Sequence, residues 1–120
     1  MKTIQVIFCN ESRLYWQAIE DRLSIEGYKI EVLKVASVKG AVNAIAEKGR
    51  CIILTESFLL GEEGVSLLPS LCKAKNPDSV VVLYTGETYD LDVSLFDHYI
   101  NSYDVDSYDE LFSMFQRRCS

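Results

Sequence analysis

The sequence predicts an α/β domain built on a doubly wound, five-stranded parallel sheet, and three features carry that prediction. Short strand-like runs alternate with helical segments along the whole chain. The runs are apolar at consecutive positions, as strands covered on both faces must be. The connections are short, with no repeat, linker or low-complexity segment, which favours successive βα units packed around one core.

Thr3 to Cys9 is the first strand, with Ile4, Val6, Ile7 and Phe8 too apolar for a one-sided sheet. Ser12 can cap a helix from Arg13 to Glu26, where Tyr15, Ala18, Ile19 and Leu23 recur at helical spacing and Gly27 stops it. Lys29 to Ala36 alternates as a strand. Ser37 then caps a helix with Ala41, Val42, Ile45 and Ala46 on one face, closed by Gly49. Cys51 to Thr55 is the third strand, and Gly64 to about Ala74 the third helix, stopped by the Asn76-Pro77 turn. Ser79 to Tyr84 is a fourth strand apolar on both faces. Tyr89 to His98 makes at best a short, irregular helix, and Tyr99 to Tyr103 a fifth strand. Ser107-Tyr-Asp-Glu110 fits a capping box that opens a last helix carrying Leu111, Phe112, Met114 and Phe115. The expected strand order is the flavodoxin-like 2-1-3-4-5.

The chain has 120 residues, 48% hydrophobic and 25% charged, so it reads as one ordinary globular domain, 1–120. Nothing approaches the roughly 18 apolar residues of a membrane span, and the start is too short for a signal peptide. The four cysteines (Cys9, Cys51, Cys72, Cys119) form no CxxC pair, which points to reduced thiols and a cytoplasmic protein. The net charge is −6, and no lysine or arginine lies between Lys75 and Arg117. Such a half repels phosphate backbones, so it excludes direct nucleic-acid binding there. The same half holds Tyr84, Tyr89, Tyr99, Tyr103 and Tyr108, five of seven tyrosines, a residue type enriched at interfaces.

In an open parallel sheet the chemistry sits at the carboxyl ends of the strands. Strand 1 ends in Asn10-Glu11, strand 3 in Glu56, strand 4 in Thr85-Gly86 and strand 5 near Ser102 to Asp104. Here the chain resembles the receiver domain of bacterial response regulators over essentially its whole length. Gln5 to Tyr28 follows the family's first strand and helix, including Glu26-Gly27-Tyr28, and Cys51 to Leu68 follows likewise, with Gly64 on the family's loop glycine. Lys75-Asn-Pro-Asp78, the apolar strand and Thr85 look most like the DNA-binding branch.

The resemblance implies a phosphorylation site: an acidic pair holding Mg²⁺, an aspartate acceptor, a hydroxyl, and a lysine that reads the phosphate. Carried over position by position, the pair becomes Asn10 and Glu11, the acceptor becomes Glu56, and the hydroxyl survives as Thr85. The lysine position falls at Ser102, or at Asp104 with a different gap. A glutamate displaces the carboxylate by about 1 Å, a shift that costs on the order of a hundredfold, and without the lysine no cation stabilises the product. The expectation is a degenerate, phosphorylation-independent receiver with no enzymatic activity and no cofactor. Glu11 and Glu56 are the candidate carboxylates if a cation binds at all, and a phosphate-mimicking Glu56 is a second option. Between Thr85 and Tyr99 the chain is several residues shorter than the family's pattern, which leaves a truncated helix beside an acidic, tyrosine-rich face. Tyr89, Tyr99, Tyr103, Asp104 and Tyr108 are the candidate contacts for a protein partner with a basic surface, or for a second copy of the chain.

Three other readings compete. The chain could be the regulatory, dimerising part of a longer DNA-binding response regulator. Cys9 at a strand end could be a phosphocysteine carrier, although Cys9-Asn-Glu-Ser-Arg lacks the glycines of a phosphate cradle and fits a small buried strand residue better. Flavin or nucleotide binding rests on fold analogy alone. His98, the single histidine, is expected at the surface or a turn, and Trp16 in packing.

Overall fold

The computed structural model describes residues 3–9, 13–59 and 64–119. Five parallel strands, β1 (Thr3–Cys9), β2 (Lys29–Val35), β3 (Cys51–Thr55), β4 (Ser79–Thr85) and β5 (His98–Asn101), form one sheet in the order β2-β1-β3-β4-β5. The register pairs Cys9 with Thr55 and Thr55 with Leu83, while Thr85 pairs with Asn101. The strand ends therefore converge on one edge.

Helices α1 (Arg13–Ile25), α2 (Val38–Ala44), α3 (Leu68–Lys75) and α4 (Ser107–Cys119) cover the sheet. Alternation along the central strands divides the core into two layers. Ile4, Val6, Phe8, Ile52, Leu54, Val82 and Tyr84 pack with Trp16, Ile19 and Leu23 of α1 and Leu111, Phe112 and Phe115 of α4. Ile7, Cys9, Cys51, Ile53, Val81 and Leu83 pack with Ala41 of α2, Leu68 and Cys72 of α3, and Phe96. Trp16 is fully buried and stacks on Phe8 with ring centroids 4.8 Å apart, so α1 turns Trp16 inward while Ala18 is exposed.

Several boundaries differ from expectation. Helix α2 stops at Ala44, short of Ala46, because side chains take over its last backbone groups. Gln5 accepts from the Ala46 N–H at 2.9 Å and donates to Ala44 O at 2.8 Å, and the Lys75 ammonium donates to Val42 O and Asn43 O at 2.8 and 3.0 Å. The third helical segment opens as a 3-10 turn, Val65–Leu67, behind Gly64, whose φ of 111° lies in the left-handed region that glycine favours. The capping box does not form. Glu110 N–H bonds Asp106 O, and the Ser107 hydroxyl instead accepts from buried Tyr84 Oη at 3.1 Å.

Between β4 and β5 the expected poor helix is a 3-10 turn, Val93–Leu95, capped by Asp92 accepting from Ser94 N–H at 3.0 Å. Beyond it Asp97 supplies the link to the sheet: its carboxylate accepts from Val81 N–H at 2.8 Å and its N–H donates to Val81 O at 3.0 Å. Strand β5 thus begins at His98 and ends at Asn101, earlier than Tyr103. Among the described residues no helix is long and apolar enough to cross a membrane.

Candidate functional site

The carboxyl edge of β3, β4 and β5 encloses a cleft of about 430 Å³ lined by Glu56, Ser57, Phe58, Thr85, Gly86, Glu87, Tyr89, Ser102 and Tyr103. Register brings these residues together. Glu56 follows the last residue of β3, and its N–H reaches toward Cys9 O at 3.5 Å, so the β1–β3 pairing fades at this residue. Ser102 follows the last residue of β5, and its N–H donates to Thr85 O at 3.2 Å, which fixes Ser102 beside the end of β4. Glu56, Thr85 and Ser102 thus share one cleft. Asn10 and Glu11 lie outside the described residues, as do Ser12 and Gly61.

Hydroxyls close the floor of the cleft. Thr85 is buried, donates to Glu87 O at 3.1 Å and accepts from Glu87 N–H at 3.4 Å, a turn in which the side chain substitutes for a backbone partner. Ser57 lies 3.4 Å from the Thr85 hydroxyl and also donates to Glu87 O. The loops after β3 and β4 are therefore tied across the cleft, with Thr85 turned to its own loop. Glu56 is half-buried beside this link.

Three aromatic residues, Phe58, Tyr89 and Tyr103, stand on the outer side of the cleft. A Cβ on Gly86 would meet the far end of the Tyr103 ring at 2.3 Å, so the ring sits directly on the glycine backbone and a side chain there would displace it. Tyr89 has a φ of 51°, the left-handed region that a non-glycine residue enters only with support from its surroundings. Ser57, Phe58 and Glu87 were missed in the sequence. Their signal was adjacency: each stands within two residues of a candidate, Glu56 or Thr85.

The candidate interaction residues fall in and beside two depressions. Tyr89 and Tyr103 belong to the cleft. Tyr99 lines a separate depression of about 400 Å³ between β5 and α4 with Asp106, Asp109, Glu110, Met114 and Arg117. Tyr108 stacks on Phe112 at 6.4 Å, and burial raises its pKa, with a smaller contribution from Tyr84. Asp104 is exposed, and its carboxylate lies within 4.8 Å of those of Asp106 and Glu110. Tyr84 is core, not surface.

The reading of Cys9 as a phosphocysteine is corrected here. Cys9 is fully buried in β1, and its thiol pKa is pushed far up by that burial and further by Cys72 and Cys51. A nucleophilic cysteine needs the thiolate and access to solvent, and Cys9 has neither. Burial also pushes the thiols of Cys51 and Cys72 up to about 12.

No protein-family model and no curated protein matches the sequence. Solved structures do match in three dimensions. The receiver domain of a sensor histidine kinase from Pseudomonas aeruginosa, with a magnesium ion coordinated in its active-site cleft, superposes with a TM-score of 0.73 at 19% identity, covering 99% of this chain and 100% of that one. The Thermotoga maritima response regulator TrrA in complex with Mg²⁺ and BeF gives a TM-score of 0.72 at 19% identity, covering 98% and 99% of the two chains. The complex of the histidine kinase ThkA with TrrA gives 0.71 at 21% identity, covering 100% of each chain. Near-complete coverage at TM-scores of 0.71 to 0.73 shows that the chain has the fold of a response-regulator receiver domain.

Proposed function

We propose that this chain is a degenerate receiver: a signalling module that works through protein contacts and without aspartyl phosphorylation. The observation that carries the reading is the residue leaving β5. Ser102 is anchored there by its N–H to Thr85 O, and no lysine or arginine occurs between Lys75 and Arg117. A phosphoryl group at the end of β3 would develop charge with no cation from this half of the chain to stabilise it. Glu56 in place of the acceptor aspartate, and Thr85 held by Glu87 and Ser57, support the same reading.

The acidic surface around Asp104, Asp106, Asp109 and Glu110 favours a partner with a basic face, because complementary charge speeds encounter and disfavours like-charged competitors. The test has two arms. Incubation with a small phosphodonor and Mg²⁺, followed by intact-mass measurement, yields no added phosphoryl group; a stoichiometric adduct would sink the proposal. Pull-downs from the native host return the same partner with and without the phosphodonor, and a partner captured only with it would also count against the reading.

A further inference from the structure

The lining of the cleft is the reverse of what an anion needs. Its outer residues include three exposed aromatics, Phe58 at 60%, Tyr89 at 74% and Tyr103 at 71% exposure. Among the described residues two carboxylate side chains, Glu56 and Glu87, line the same space, and no lysine, arginine or histidine does. Aromatic faces carry negative potential, and a cation over one is attracted by the ring quadrupole. Rings and carboxylates lining one space suit a cation that is large, flat or weakly hydrated.

The two tyrosines are also positioned rather than merely exposed. Tyr103 is seated on Gly86, and Tyr89 is held at a φ of 51°. The volume of about 430 Å³ lies in the range of pockets that enclose small organic groups, and it would take a guanidinium or an alkylammonium with part of its stem.

We propose that this cleft binds the cationic side chain of an arginine or lysine presented by a protein partner, where a working receiver would hold its phosphoryl group. The proposal rests on the reading of the chain as a phosphorylation-independent contact module, and it names the contact. A partner protein, rather than a free metabolite, is favoured by what adjoins the cleft. Immediately after Tyr103 the chain presents Asp104, the fully exposed Val105 and Asp106, an acidic and apolar rim on which a folded surface can rest.

The experiment is an NMR titration of the isotope-labelled chain with N-acetyl-arginine-N-methylamide, alongside its neutral citrulline counterpart, free arginine and inorganic phosphate. The arginine derivative should give saturable shifts at 56–58, 85–89 and 102–104 with a dissociation constant in the range of about 1–10 mM, and the citrulline derivative should give none. Tyr103→Leu and Tyr89→Leu should each weaken binding about two- to fivefold. Glu87→Gln, an exposed change that leaves the fold intact, should weaken it as well. Equal binding by citrulline, saturable binding of phosphate at the same resonances, or no saturation by the arginine derivative would each overturn the proposal. Tighter binding of free arginine, whose α-carboxylate the acidic cleft repels, would place the ligand among small metabolites and overturn the partner assignment. A phosphoryl adduct in the phosphodonor assay would instead strike the functional reading, so the two failures are distinguishable.

Discussion

His98 illustrates how one side chain can make this fold sensitive to pH. Arg118 of α4 donates to His98 Nε2 through both Nε and Nη2, at 3.1 and 3.0 Å, so that ring nitrogen must be an unprotonated acceptor. Burial lowers the pKa of His98 first, Arg118 and Arg117 lower it further, and Asp97 opposes them. Asp97 is itself paired with Lys73 of α3 at 2.9 Å. With the folded pKa below the unfolded value, the unfolded chain binds the proton more readily. Stability is thus retained above the unfolded pKa of about 6.5 and lost as the pH falls below it, until the folded pKa is passed. His98→Gln keeps an acceptor for Arg118 and removes the titration. Denaturant melts at pH 7 and pH 5 should show the variant gaining on the wild type at the lower pH, and a constant difference would refute the argument. The sequence led us to expect His98 at the surface or in a turn, whereas it is half-buried at the start of β5; its partner was not legible either, because Arg118 is a neighbour only once α4 lies along β5.

At the scale of elements, the strands were legible because burial on both faces leaves few alternatives for runs such as Ser79 to Tyr84, all buried. The end of α2 was not, because long-range side chains decide it: Gln5 from β1 and Lys75 from α3 take its last backbone groups. Asn76 governs the loop that follows. Its Nδ2 donates to Ala46 O at 2.8 Å and Gly49 O at 3.1 Å, its Oδ1 accepts from Asp78 N–H at 3.0 Å, and it is 1% exposed. Asparagine therefore does more here than stop a helix before Pro77; it joins the α2–β3 loop to the α3–β4 turn. Asn76→Ala removes three hydrogen bonds to the backbone of Ala46, Gly49 and Asp78, at about 1 kcal/mol each, and should cost about 2–3 kcal/mol. That corresponds to a fall of about 10 °C in Tm for a chain of this size. A loss under about 0.5 kcal/mol, the usual range of a neutral surface change, would show that water replaces these bonds. The capping box failed for a related reason, since buried Tyr84 needs an acceptor and Ser107 provides it.

For the whole molecule the question is whether the receiver fold still responds to the cation that receivers use. Mg²⁺ dehydrates reluctantly and demands several well-placed oxygens. In this cleft the hydroxyls of Ser57 and Thr85 are committed to Glu87 O, and Asn10 stands in the sequence where the resemblance expects an acid. The aromatic walls suit a weakly hydrated organic cation better than a hard metal ion. That distinction was only partly legible in the sequence. The missing lysine and the substituted acids could be read directly, whereas the hydroxyl link and the seat of Tyr103 on Gly86 exist only once β3, β4 and β5 are side by side. The effect is measurable because a ligand selective for the folded state stabilises it by mass action. Mg²⁺ at ten times a millimolar dissociation constant would add about 1.4 kcal/mol, or about 5 °C in Tm. We expect a shift below about 1 °C with either Mg²⁺ or Ca²⁺ at that concentration, since the Ser57 and Thr85 hydroxyls of the cleft are already committed to Glu87 O. A dose-dependent rise of several degrees that Glu56→Gln abolishes would mean that the metal site survives and that only the acceptor has been lost.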